Sequence, residues 1–348
     1  MRIRRTLPLA LAVVIVAAAV ILAVQLRKHA PPEAARLLPG ADAFFYVNLS
    51  WARKVSAGNS LPAVSHDPVY ERFIRETGIE FERDLEAAAF SVHYPARWPG
   101  GGTGGSALEP RFSEVFMGKF HGEKLTSYLR QIAKSVEDYN SVEIFTIPLD
   151  NRTFRVAVLS VDSVAASNHD DAGVIRGIVD RSRRLASPFG GPALLRRYYK
   201  RVQFASPVWI VAHIQPSAPE FGGWGNVFPK PADVVISASY NPLHLPLRPG
   251  SLHLRAEALT DDANDAHTIA EKLGVFLTMF HAAEAGSQGN DPDVKAAFDS
   301  LQVHQDGERA ILSATIPPGF LRKIFSESPA EMSLPGRDVP SPPAPRTR

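Results

Sequence analysis

The chain has no cysteine in 348 residues. That excludes a disulfide framework, a thiol nucleophile and a cysteine metal site. It also suits export, where a free thiol is open to unwanted oxidation. A basic excess is missing as well, with 38 Lys and Arg against 36 Asp and Glu. Arg2, Arg4 and Arg5 stand ahead of every acid, so the rest of the chain carries a formal charge of −1. A dedicated nucleic-acid binder would show a clear cationic surplus. Motifs with a built-in mechanism are lacking too. The glycine-rich residues 99–106 have no Gly-Lys-Ser/Thr ending for a phosphate, and no HExxH, GxSxG or SxxK occurs. The 11 histidines are scattered, and no pair of them has ligand spacing with a neighbouring carboxylate. No cofactor is therefore expected.

One long apolar run is present. Residues 6–26 carry no charge, Arg2, Arg4 and Arg5 precede them, and Arg27 and Lys28 close them. As a helix these residues span roughly 30 Å, the thickness of a bilayer's hydrocarbon core. A signal-anchor over residues 1–28 is the expectation. A cleaved signal peptide is the alternative, but its small-residue site, Ala17-Ala18-Ala19, lies in the middle of the run. The basic residues ahead of the run place the N-terminus in the cytoplasm and the body outside, periplasmic or extracellular. Arg4-Arg5 also opens the twin-arginine export route, which Thr6-Leu7-Pro8 fits poorly.

Beyond the anchor, residues 29–42 read as a stalk with Pro31-Pro32, in which Arg36-Leu37-Leu38 begin the fold. Residues 329–348 read as a disordered proline-rich tail. Between them, strand and helix patterns alternate. Strands are expected at 43–49, 87–94, 112–120, 142–149, 153–160 and 164–167, then at 208–213, 233–239, 251–259, 301–305 and 309–316. Helices are expected after Asp67-Pro68, ending at Gly78, over 122–136, after Asp170 or Asp171, from Asp261 onward, over 293–300 and over 319–325. Each half runs strand, strand, strand, long helix, strand, strand, helix, apart from one inserted helix in the first half. This order predicts an α+β body, pseudo-duplicated as lobe 1 (43–205) and lobe 2 (206–328). Each lobe would be an antiparallel sheet with helices packed on one face, the alternative being one sheet shared by both.

Three segments stand out as candidate sites. Asn168, His169, Asp170 and Asp171 form the densest polar cluster, able to hold a metal or supply acid-base groups, or simply to cap a helix. Arg183, Arg184, Arg196, Arg197, Lys200 and Arg201, with Arg181, make a basic segment interleaved with Phe189, Tyr198 and Tyr199. Such a surface meets lipid head groups or an anionic envelope polymer, or is a solvated helix face. The aromatic, glycine-rich loop 221–225 touches a partner or folds over its own core.

The lead-in Leu38-Pro39-Gly40-Ala41-Asp42-Ala43, the helix end Thr77-Gly78-Ile79-Glu80-Phe81-Glu82-Arg83-Asp84-Leu85 and the turn at 187–192 are all structural punctuation. With the anchor, they make the whole chain resemble a group of membrane-anchored, exported bacterial proteins found especially in Acidobacteria. The resemblance implies exported α+β architecture and no chemistry, because the group carries no established activity. The functional expectation is a membrane-anchored envelope protein that binds a partner without catalysis. The partners expected are the membrane itself and an envelope protein or anionic polymer, with no nucleic acid. The alternative is an anchored hydrolase with its site between the lobes.

Overall fold

A computed structural model describes residues 30–56, 68–94, 110–149, 152–183, 191–216, 226–240, 250–285 and 292–326. The expected anchor, the glycine-rich loop 99–106, Arg184, the loop 221–225 and the tail lie outside the described residues. Among those that are described, no helix is long and apolar enough to cross a membrane.

The first half runs α1 (Glu33–Leu37), β1 (Ala43–Asn48), α2 (Leu49–Val55), α3 (Pro68–Thr77), α4 (Phe81–Asp84), β2 (Leu85–His93), β3 (Arg111–Gly118) and α5 (Gly122–Ile132). It continues with β4 (Ser135–Tyr139), β5 (Val142–Leu149), β6 (Arg152–Val158), β7 (Ser163–Ser167), α6 (Gly173–Arg183), α7 (Ala193–Tyr198) and a 3-10 turn (Tyr199–Arg201). The second half holds β8 (Val208–Ile214), β9 (Ala232–Tyr240), β10 (Leu252–Leu259), α8 (Ala263–Ala285), α9 (Pro292–Asp299), β11 (Gln302–Asp306), β12 (Arg309–Ile316) and α10 (Pro318–Ser326).

The chain is α+β, and the twelve strands of the described residues form one sheet in the order β11-β12-β10-β9-β8-β1-β2-β3-β7-β6-β5-β4. Every pairing is antiparallel. The expectation of a separate sheet for each lobe is corrected here. β1 pairs with β8 from Ala43↔Ala212 to Val47↔Val208, so the halves share a continuous backbone ladder. The repeat of order survives inside it. β1-β2-β3-α5 and β8-β9-β10-α8 are each a three-stranded meander followed by a helix. Apolar side chains point both ways along β8, which is why it sits in the interior of the sheet. The outermost strands β4 and β11 are short, polar and largely exposed, with Glu137, Asp138 and Asp306 discouraging further pairing.

Helices cover both faces, which corrects the expected one-sided packing. On the first face, Phe44, Tyr46, Trp209 and Val211 pack against Ala34, Ala35 and Leu37 of α1, Ile175, Ile178 and Val179 of α6, and Leu195 and Tyr198 of α7. Strand neighbours point the other way. Ala43, Ala212 and Val234 meet Ile269 of α8. Phe145, Val156 and Val164 meet Leu125 and Leu129 of α5. Ala238 and Leu252 meet Leu321 of α10. An apolar helical stripe requires burial, but nothing in the stripe says on which side of a sheet.

Two further expectations change. The segment read as a stalk holds α1, with Ala34, Ala35, Leu37 and Leu38 among the most buried residues of the molecule. Its Ala-Ala-x-Leu-Leu spacing is a short core stripe rather than a spacer. The helix expected over 122–136 stops at Ile132, and Ser135–Tyr139 is the edge strand β4. A tight turn at Asn140 and Ser141, both at positive φ, links it to β5.

Candidate functional site

The first face of the sheet is polar at one end. Ser91 of β2, Ser113 of β3 and Ser167 of β7 lie side by side in register on that face. Ser113 Oγ lies 2.9 Å from Ser167 Oγ, and Ser91 Oγ donates to the Ser113 carbonyl at 3.2 Å. His93, two residues along β2, brings Nε2 to 3.2 Å from Ser113 Oγ. Its ring meets that of His169 edge to face, with centroids 5.0 Å apart. The His169 Nδ1 accepts the Asp171 N–H at 3.1 Å. Burial pushes the His93 imidazole down to about 4, and His169 adds to the effect while Asp42 opposes it.

A serine hydroxyl on an imidazole nitrogen is the start of a nucleophile–base pair. Here Ser113 has no exposed surface and Ser167 only 2%. With its neighbours bonded to one another, the seam satisfies buried polar groups between strands.

The candidate cluster divides among separate tasks. Asn168 Oδ1 accepts the Phe112 N–H at 2.6 Å, holding the end of β7 to β3. Asp171 Oδ1 accepts the Gly173 N–H at 2.7 Å at the start of α6. Asp170 pairs with Arg111 at 3.0 Å but is largely exposed. Only His169 enters the seam. Among the described residues no group of three or more His, Asp or Glu is placed to hold a metal ion.

A second oriented imidazole lies on the same face, on β8. His213 Nδ1 donates to Asp233 Oδ1 at 2.8 Å, and the Tyr198 hydroxyl donates to Asp233 Oδ2. Burial and the Asp233 carboxylate push the Tyr198 hydroxyl up to about 12. The carboxylate fixes the tautomer and leaves the His213 Nε2 lone pair, the arrangement of a general base or a metal ligand. Gln215 Nε2 sits 2.9 Å from that nitrogen and donates to it. His213 and Asp233 are 20 residues apart on paired strands, and His93 and His169 are 76 apart, so no local motif announces either pair.

The basic segment also splits. Arg181 Nε donates to the Leu37 carbonyl at 2.6 Å, and burial lowers its pKa. Arg183 donates to the Ser141 carbonyl at 2.9 Å. Arg201 reaches Glu257 at 3.3 Å, joined there by Arg255 at 2.7 Å and Arg309 at 3.7 Å. Arg196, Arg197 and Lys200 remain exposed, with Arg197 over the Tyr198 ring at 5.1 Å. Elsewhere, α3 and α5 border an open groove of about 420 Å³, with Glu76, Glu123 and Tyr128 in its lining.

No protein-family model matches the chain, and no curated protein does. Two solved structures, of crystal forms III and IV of TP0453, share 10% identity with it. They cover 85% of this chain and 98% of their own, with TM-scores of 0.45 and 0.41. Neither likeness bears on what the chain does.

Proposed function

We propose that this chain is a membrane-anchored envelope protein whose α+β body binds a partner without catalysis. The carrying observation is the uncharged run 6–26 between Arg2, Arg4, Arg5 and Arg27-Lys28, directly ahead of a folded body that begins by α1. Three features of the body support the binding reading over a hydrolase. The Ser113 hydroxyl of the Ser113–His93 pair is buried in the sheet, with no exposed surface, while His93 is half-buried. The oriented base His213 has both ring nitrogens engaged by Asp233 and Gln215. The join between the halves, where the alternative reading puts a hydrolase site, is a paired β1–β8 ladder.

Carbonate extraction of membranes from cells expressing the full chain tests the anchor, which predicts retention in the pellet. Cross-linking in intact cells tests the binding role and predicts a specific adduct. Release by carbonate overturns the anchor. An esterase or peptidase activity that Ser113→Ala or His213→Gln abolishes overturns the binding reading.

A further inference from the structure

We infer that the α7 side of the first face is a docking surface for anionic lipid head groups of the membrane that holds the anchor. The inference rests on the anchored reading above and adds an orientation to it.

Three observations meet here. The first is charge. From Arg181 to residue 219 the chain has no Asp or Glu, while Arg181, Arg183, Arg184, Arg196, Arg197, Lys200 and Arg201 all fall within that stretch. The second is direction. Leu195 and Tyr198 are buried against the sheet, so Arg196, Arg197 and Lys200 project away from it, exposed. None of these three has a carboxylate at ion-pair distance among the described residues, whereas Arg201 is committed to Glu257. The third is position. α7 follows Gly191, and a Cβ there would stand only 3.4 Å from the Arg36 Cα of α1. Arg181 donates to the α1 residue Leu37. The basic surface therefore borders α1, the element reached first from the apolar run. From Leu26 to Ala30, four residues of chain span at most ~14 Å. This short tether keeps the start of the body near the membrane surface, and rotation about it brings the α7 side within the Debye length, about 8 Å in physiological salt, over which an anionic leaflet attracts Lys and Arg. Docked so, α7 lies on the head groups and α8, on the opposite face, points away from them.

The absence of cysteine allows the test in the full chain, reconstituted into vesicles with a fluorophore on Ala193→Cys or on Met279→Cys. Ala193 and Met279 are exposed on α7 and on α8 of the opposite face. In phosphatidylglycerol-containing vesicles, head-group spin-labelled lipid should quench the label at 193 and not the one at 279. Quenching should weaken in pure phosphatidylcholine and at raised salt. Arg196→Gln, Arg197→Gln and Lys200→Gln together should reduce the docked-to-undocked ratio on the order of 100-fold, with flotation unchanged.

Equal quenching at 193 in both lipids, or no effect of the triple variant, overturns the inference while flotation keeps the anchor. Soluble polyphosphate that binds the wild type and not the triple variant, with no quenching at 193, assigns the surface to a polymer and also overturns it. Failure of the chain to float with any vesicle overturns the anchored reading itself.

Discussion

The rings of Tyr46 on β1 and Trp209 on β8 stack with centroids 5.4 Å apart and planes at 17°, at the line where the two halves of the chain meet. Tyr199 packs edge-on against Trp209, at 5.3 Å. A first-half strand, a second-half strand and the connection between them thus share one aromatic contact.

Trp209 is 1% exposed, so Trp209→Ala should cost about 3–5 kcal/mol. Because the ladder is continuous, urea should unfold the chain in a single shifted transition rather than releasing one half. Trp209→Phe should cost much less, since the indole N–H is buried with no acceptor and its loss is not penalised. Circular dichroism against urea measures both.

His93 sets an acid limit on stability. Its folded pKa, near 4, lies below the ordinary 6.5, so between these values the unfolded chain binds more protons than the native one. The associated stability is complete above pH 6.5 and is lost as pH falls toward 4. The loss is at most on the order of 3 kcal/mol. Melting temperatures of the wild type at pH 7.5, 5.5 and 4.5 should fall more steeply than those of His93→Gln. Parallel curves would contradict this.

Glu257 is 5% exposed and faces Arg201, Arg255 and Arg309, each about one-third exposed. Glu257→Gln leaves three guanidiniums around a neutral amide. With solvent screening of the arginines, a loss of about 2 kcal/mol is expected. Raising the salt concentration should narrow the gap from the wild type in the same urea titration.

The polar segment 168–171 should respond residue by residue. Asp171→Ala removes the acceptor at the start of α6 and should cost ~1 kcal/mol. Asp170→Ala, which breaks an exposed pair with Arg111, should cost ~0.5 kcal/mol or less. A thermal-shift comparison checks the ranking, and equal losses would mean that the segment acts as one unit.

Much of the local architecture follows from sequence by short-range physics. Gly78 ends α3 at φ +72°, where a side chain is strained. Asp306-Gly307 turns β11 into β12, with Gly307 at φ +59°. Ile269 and Leu273 mark the inward stripe of α8. The same short-range signal misled at β4. Val136 continues the helical spacing of Leu125, Leu129 and Ile132, yet the chain leaves the helix at Ala133 and pairs Val136 with Phe145. Periodicity cannot separate one more helical turn from the first residue of a strand.

Sequence alone determined the uncharged run, the lack of thiol chemistry and, β4 and α1 apart, most of the strand–helix order, because each is a property of neighbouring residues. Tertiary structure alone decided that twelve strands make one sheet, that helices cover both faces, and that His93 meets His169 and His213 meets Asp233. The physical reason is range. Hydrophobic periodicity says that a surface must be buried, while partner and side are chosen by packing between segments far apart in the chain. The basic residues show the same division. Arg201 and Arg196 look alike in sequence, and only the fold gives one to Glu257 and leaves the other in solvent.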